Sequence, residues 1–315
     1  MILPGNLNVA LAHWLDETGR GGLGDATAAL SKAYKAGSNS HAVNLAAYVA
    51  TRVPATYAAN GRVLEALAEA WPGFAPQSLL DVGAGPGVAS WAALEQWPEI
   101  SAITQIEHDA KFVELARRLN AESEIATLQK STVRQVHLQN ATGVAADLVV
   151  ASYVLAELPI AEMAQTAELL WTAATQALVL IEPGTPQGFA RLRIIRDHLL
   201  ARDAHVVAPC THAAACPMKG DDWCHFKVRL ARSRAHMHAK GAIVPFEDEA
   251  FSYLVLARQA VAVSGTRVLT SPDATKAGIA LQLCDGRGLH RENIASRDKQ
   301  TYKRAKKTRW GDRWT

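Results

Sequence analysis

Two sets of residues in this chain have the types and spacing to do chemistry. The first is Ser78-Leu79-Leu80-Asp81-Val82-Gly83-Ala84-Gly85-Pro86-Gly87. An apolar strand runs into glycines, and a helix is predicted from Val88. Glycine at such a turn permits positive φ and lets a ligand approach the backbone. The helix N-terminus then offers that ligand free N–H groups. Glu107 lies twenty residues past Gly87, where an acid at a strand end can take ribose hydroxyls. A dinucleotide fingerprint needs its third glycine at position 88. That position is Val88, so the fingerprint fails. A glycine turn with a purely structural role is the alternative reading.

The second set is Cys210, Cys216, Cys224 and Cys284, spaced C-x5-C-x7-C-x59-C. Four thiolates satisfy either tetrahedral zinc or a 4Fe–4S cluster. The C-x2-C knuckles of a zinc ribbon are absent. The irregular spacing and the Cys216-Pro217 pair lean toward iron–sulfur, with zinc as the alternative. Unligated buried thiols remain a third reading, and a disulfide is disfavoured in a reducing compartment. His212, His225, His236 and His238 are expected to face RNA or to stand around the site. A site shared by all four cysteines ties a C-terminal extension to the rest of the chain, and metal binding there is folding energy.

The elements that must position these groups follow from the rest of the sequence. The 315 residues suggest about two domains. About half are hydrophobic and a fifth charged, which excludes a disordered or collagen-like chain. Residues 1–75 read as helical, with stretches at 27–34, at 43–57 broken at Pro54, and at 61–67. Residues 76–260 alternate short apolar strands with helices, which predicts an α/β domain on a mostly parallel sheet. Its third strand is expected near Val136–Leu138, and a Cys-rich insertion interrupts it at 209–246. Residues 261–315 read as a small β extension, with strands at Thr266–Thr270 and Ile279–Cys284, and a basic tail.

With the acid at Asp81, the G-x-G-x-G spacing resembles motif I of the class I S-adenosylmethionine-dependent methyltransferases. The resemblance implies a Rossmann-like methyltransferase fold, with Asp81 near the methionine amino group. It places Gly83, Gly85 and Gly87 under the cofactor and Glu107 on its ribose. Ser152 opens the loop after the fourth strand, toward which the sulfonium methyl would point. That loop, Ser152 to Pro159, lacks the Asn/Asp-Pro-Pro-aromatic pattern common in amino methyltransferases. Tyr153 and Glu157 line a pocket there or serve packing, and no catalytic residue is assigned.

The chain as a whole resembles the methyltransferase-like assembly factors of the small ribosomal subunit. The resemblance rests on the stretch from Ala47 to Ala59, the glycine loop, Tyr153 to Pro159, Ile181 to Pro186, Cys210 to Phe226 and Trp310-Gly311-Asp312. It implies binding to small-subunit ribosomal RNA and an iron–sulfur cluster on Cys210, Cys216, Cys224 and Cys284. A non-catalytic RNA clamp is the second reading, and a small-molecule methyltransferase with structural zinc is the third.

Charge distribution points to RNA independently. The formal balance is only +3, but His225 to Phe246 contains no acid and five Lys/Arg. Residues 286–315 carry ten Lys/Arg against three acids, with Tyr302, Trp310 and Trp314 interleaved. Basic charge attracts phosphate, and aromatic faces stack on unpaired bases. No membrane segment or export signal is read, and no transit-peptide pattern. A cytoplasmic protein is expected, or one of the mitochondrial matrix if a targeting segment has been removed.

Overall fold

The computed structural model describes residues 2–19, 22–35 and 44–315. Three helices come first: α1 (Gly5–Thr18), α2 (Leu23–Lys35) and α3 (Leu45–Ala70). Asn44 caps α3 by accepting from the Ala47 N–H. Val43, where this stretch was expected to begin, lies outside the described residues. The expected break at Pro54 does not occur, and α3 runs as one helix of 26 residues. Proline removes one i→i−4 hydrogen bond. Of the 26 side chains 18 are buried, and that packing holds the helix together across the gap.

The alternating region follows as β1 (Ser78–Val82), α4 (Val88–Gln96), β2 (Ala102–Glu107), α5 (Ala110–Ala121), α6 (Ala126–Gln129), β3 (Thr132–Gln135), β4 (Ala146–Ser152), α7 (Met163–Ala173), β5 (Ala174–Pro183), α8 (Pro186–Leu200) and β6 (His205–Ala208). Then come β7 (Phe226–Ala231), α9 (Arg234–Lys240) and β8 (Phe246–Ala257). The sheet order is β3-β2-β1-β4-β5-β8-β6, with β7 paired to β8. The pairings among β1 to β5 are parallel, and β8 enters antiparallel between β5 and β6. This is the mixed α/β sheet of the class I methyltransferase fold.

Successive residues of the central strands serve opposite layers. Leu148 and Val150 join the core under α3 and α4, while Val149 and Ala151 join the core under α7 and α8. Burial on both faces explains why these strands read as unbroken apolar runs. β3 lies four residues before its expected place. None of its residues is buried, so no apolar run marks it.

The extension comprises β9 (Thr266–Val268), β10 (Asp273–Ala274), β11 (Gly278–Asp285), β12 (Gly288–Ala295), α10 (Lys299–Ala305) and β13 (Arg313–Trp314). β11 and β12 form a hairpin from Gly278↔Ala295 to Asp285↔Gly288. Seven buried side chains make its core, Trp314 among them. Trp314 is thus a core residue, with its Nε1–H donated to Glu292, and Tyr302 packs against the same cluster. Of the three tail aromatics expected to meet bases, only Trp310 lies outside that core.

Candidate functional site

The glycine loop joins β1 to α4 with Gly83, Gly85 and Gly87 all at positive φ. Each glycine has its own reason. A Cβ on Gly83 would stand 2.4 Å from Val154, and one on Gly87 would stand 2.4 Å from Gln105 Nε2. A Cβ on Gly85 would point into space bounded by the Tyr48 hydroxyl at 3.7 Å and Phe112 at 4.0 Å. Gly87→Ala should therefore destabilise by about 1–3 kcal/mol through strain and collision. Gly85→Ala carries the backbone strain without a collision, so it should destabilise less than Gly87→Ala. Denaturant unfolding checks the pair, and equal losses in both variants would contradict it.

Glu107 ends β2 with 6% of its surface exposed. Its Oε2 accepts from the Gly85 N–H at 2.9 Å, and its Oε1 accepts from the N–H groups of His108 and Asp109. The acid is thereby locked to the rim of the loop. Asp81 is 1% exposed, and its Oδ2 accepts from the N–H and hydroxyl of Ser90. Burial raises its carboxyl to about 6. These contacts commit Asp81 to the first turn of α4. A buried polar chain continues from Ser90 to Gln105 and Asn120.

Ser152 stands at the end of β4, and its hydroxyl accepts from Asn60 Nδ2 of α3 at 2.9 Å. Tyr153 follows at φ 60°, a rare conformation for a non-glycine residue. It is buried, and its hydroxyl donates to Glu249 at 3.0 Å. Arg52 of α3 closes on the same carboxylate with Nη2–Oε1 of 2.8 Å and Nη1–Oε2 of 3.1 Å. Glu157 is exposed. The stretch after β4 is therefore tied to α3 and β8 by a buried ion pair that sequence reasoning missed. The available signal was Arg52 itself, a cation inside an apolar helical run.

Glu182, at the end of β5, is fully buried, and its Oε1 accepts from the Leu155 N–H. Burial, against that hydrogen bond, pushes its carboxyl up to about 8 from an ordinary 4.5. The folded state binds this proton more tightly than the unfolded chain does. Its contribution to stability is therefore complete below about pH 4.5 and lost as pH rises toward about 8. Glu182→Gln should flatten the stability profile between about pH 5 and 8. Parallel wild-type and variant profiles would contradict this.

The four cysteines line one cavity of about 50 Å³, together with Phe189, Arg196, Pro209, His212, Pro217 and Met218 among others. Loops after β6 and before β7 bring three of them, and β11 brings Cys284. His212 Nε2 lies 3.8 Å from Cys284 Sγ. Among the described residues, no three His, Cys, Asp or Glu side chains form a group able to hold a single metal ion. Burial and mutual repulsion raise the thiols, Cys284 to about 12, with Cys210 and Cys224 also above the ordinary thiol range. Metal ligation deprotonates such a thiol outright. Two buried arginines stand beside them. Arg196 donates to the carbonyls of His212 and Ala214, and Arg267 of β9 donates to those of Pro209 and Gly311. His236 is fully buried against Glu247, away from this cavity, which removes it from the histidines expected to face RNA.

A match to the family described as mitochondrial small ribosomal subunit Rsm22 covers residues 42–315. The chain belongs to this family. Among Rsm22-family relatives, the human mitochondrial ribosome assembly protein METTL17 is 29% identical over 290 residues, spanning 84% of this chain and 61% of that protein. The Rsm22-cox11 tandem protein 2 of Schizosaccharomyces pombe, also mitochondrial, is 25% identical over 286 residues, spanning 75% of this chain and 38% of that protein. The chain thus spans less than two thirds of the length of either relative. Among solved structures, magnesium protoporphyrin IX methyltransferase of Synechocystis PCC 6803 with bound S-adenosylmethionine matches at 14% identity and a TM-score of 0.44, over 74% of this chain and 97% of that one. Among the described residues no helix is long and apolar enough to cross a membrane. The cytoplasmic reading gains no support from these relatives, both of which are named as mitochondrial.

Proposed function

We propose that this Rsm22-family chain is an S-adenosylmethionine-binding, methyltransferase-like factor that acts on small-subunit ribosomal RNA during assembly. In this reading an iron–sulfur cluster holds its RNA-binding surface in place, and the working compartment is the mitochondrial matrix or its bacterial equivalent. The observation that carries the reading is the meeting of Cys210, Cys216, Cys224 and Cys284 at one cavity between the sheet and the basic extension. Four thiols at one cavity can hold either a 4Fe–4S cluster or a single zinc, and the family resemblance is what favours the cluster. Two buried guanidiniums beside it, Arg196 and Arg267, suit the net negative charge that four thiolates bring.

In this reading the glycine loop holds the cofactor. Gly85 would let the backbone approach the nucleoside, and Glu107 would take its ribose hydroxyls. Gly83 and Gly87 admit the close turn, and Asp81 steadies the helix whose N-terminus faces the loop. S-adenosylmethionine, when bound, supplies an electrophilic methyl group. Ser152 and Asn60 would orient the methionine end. The second reading, a factor without turnover, is favoured by Tyr153, whose burial against Arg52 and Glu249 fills the place where an acceptor would be handled.

Calorimetric titration with S-adenosylmethionine, paired with radiolabelled methyl transfer to small-subunit RNA, tests this. Binding by the wild type that is lost in Glu107→Ala is expected. Binding without transfer selects the second reading, and no binding at all sinks the cofactor assignment.

A further inference from the structure

We propose that the outward face of β7, with the residues leading into it, binds an unpaired stretch of RNA by stacking and phosphate contact. The inference rests on the RNA reading above and gives it a place. β7 pairs only with β8, and its inner face packs on α3 through Val228 and Leu230. The alternate residues are of another kind: Trp223, His225, Lys227 and Arg229. Trp223 and His225 stack with ring centres 5.0 Å apart and planes 20° apart. His225 meets Trp310 edge-on at 4.8 Å, and Lys227 Nζ lies 5.1 Å over the Trp310 ring. Further along, the Arg229 guanidinium lies 4.3 Å over Phe246, which is 42% exposed.

Alternate side chains on a strand repeat about every 6.6 Å. That spacing suits splayed bases stacked on aromatic and guanidinium planes along a sheet, a recurring way of reading single-stranded RNA. An aromatic face accepts any base, while the interleaved cations attract phosphate. Arg229 is paired with Asp248 across the ladder at 2.7 Å, and the exposed Asp221 and Asp222 bound the face at its start, so stacking together with Lys227, not net charge, selects the occupant.

Trp223 Nε1–H donates to the Gly184 carbonyl, just past the end of β5, and Ser152 pairs with Ile181 on the same strand. The face therefore starts at the edge of the sheet that carries the glycine loop and Glu107. A strand lying along β7 leads toward that edge.

The test uses full-length protein and fluorescein-labelled oligouridylate of about twelve nucleotides, with a duplex of equal length as comparison, at fixed salt. Wild type is expected to prefer the single strand. His225→Ala and Lys227→Gln should each weaken it by about fivefold or more, while duplex binding changes less. Because His225 neighbours Cys224, a second measurement avoids substitution: cross-linking of 4-thiouridine RNA to wild type should map to Trp223, His225 or Trp310. Wild-type binding with unchanged variants and cross-links confined to residues 286–309 overturns the proposal and leaves the RNA reading standing. No RNA binding by wild type overturns both.

Discussion

On the proposed reading that the four cysteines hold a metal, Cys224→Ser is expected to release it and to free the extension with it. The extension has a core of seven side chains, too few to hold so small a unit firmly by itself. Its attachment rests on a small set of contacts. Cys284 enters the four-cysteine cavity, and Arg267 donates to the Pro209 carbonyl beyond β6. Arg313 donates to the Glu69 carbonyl of α3. Without metal, the cavity holds buried thiols that burial keeps protonated, and only apolar packing with Met218, Leu269 and Phe189 joins them. A ligand present at a thousandfold its dissociation constant adds about 4 kcal/mol, so the loss should be at least of that order. Thermal unfolding should shift down, and limited proteolysis should cut between β8 and β9. Chelated wild type should match the variant. A variant that keeps wild-type protease resistance would show that the four cysteines do not staple the extension.

Arg52→Met should be the most damaging change outside the four-cysteine cavity, at about 3–5 kcal/mol. Its side chain and that of Glu249 are only 10% and 11% exposed, and they meet through two hydrogen bonds. Removing the guanidinium strands a buried carboxylate that Tyr153 alone would then serve. The cost is that of an unpaired charge, not the net worth of the pair. Arg52→Met with Glu249→Leu should therefore recover most of the loss. Denaturant unfolding of the two singles and the double gives the coupling. A single-variant loss below about 1 kcal/mol, the scale of a surface pair, would contradict the burial.

What the sequence shows of this molecule follows from what burial leaves in it. β1, β4 and β5 are packed on both faces, so their apolar runs stand out, and the glycines after β1 mark the loop by type alone. β3 is a half-exposed edge strand, and the apolar Val136 and Leu138 just beyond it draw the reading off its place. Pro54 shows a local rule overridden by packing: its neighbours are buried on nearly every side, and the helix survives. Within the Cys-rich insertion, Phe226, Val228 and Leu230 do alternate with Lys227 and Arg229. That stretch reads from sequence as part of the insertion and of an acid-free basic span, not as a strand. The cysteines were legible as a set, because four thiols confined to a quarter of the chain have few structural explanations. Arg196, Arg267 and Glu249 were not, since only the folded chain brings them from distant segments to the sites they serve.

The most direct test of the account is iron, zinc and acid-labile sulfide content, with a visible spectrum, on full-length protein purified without oxygen. About four irons and four sulfides per chain, with a broad band near ~400 nm, is the result predicted. One zinc, no sulfide and no colour would keep the four-cysteine staple but contradict the cluster, and the reading of a zinc-held methyltransferase would take its place.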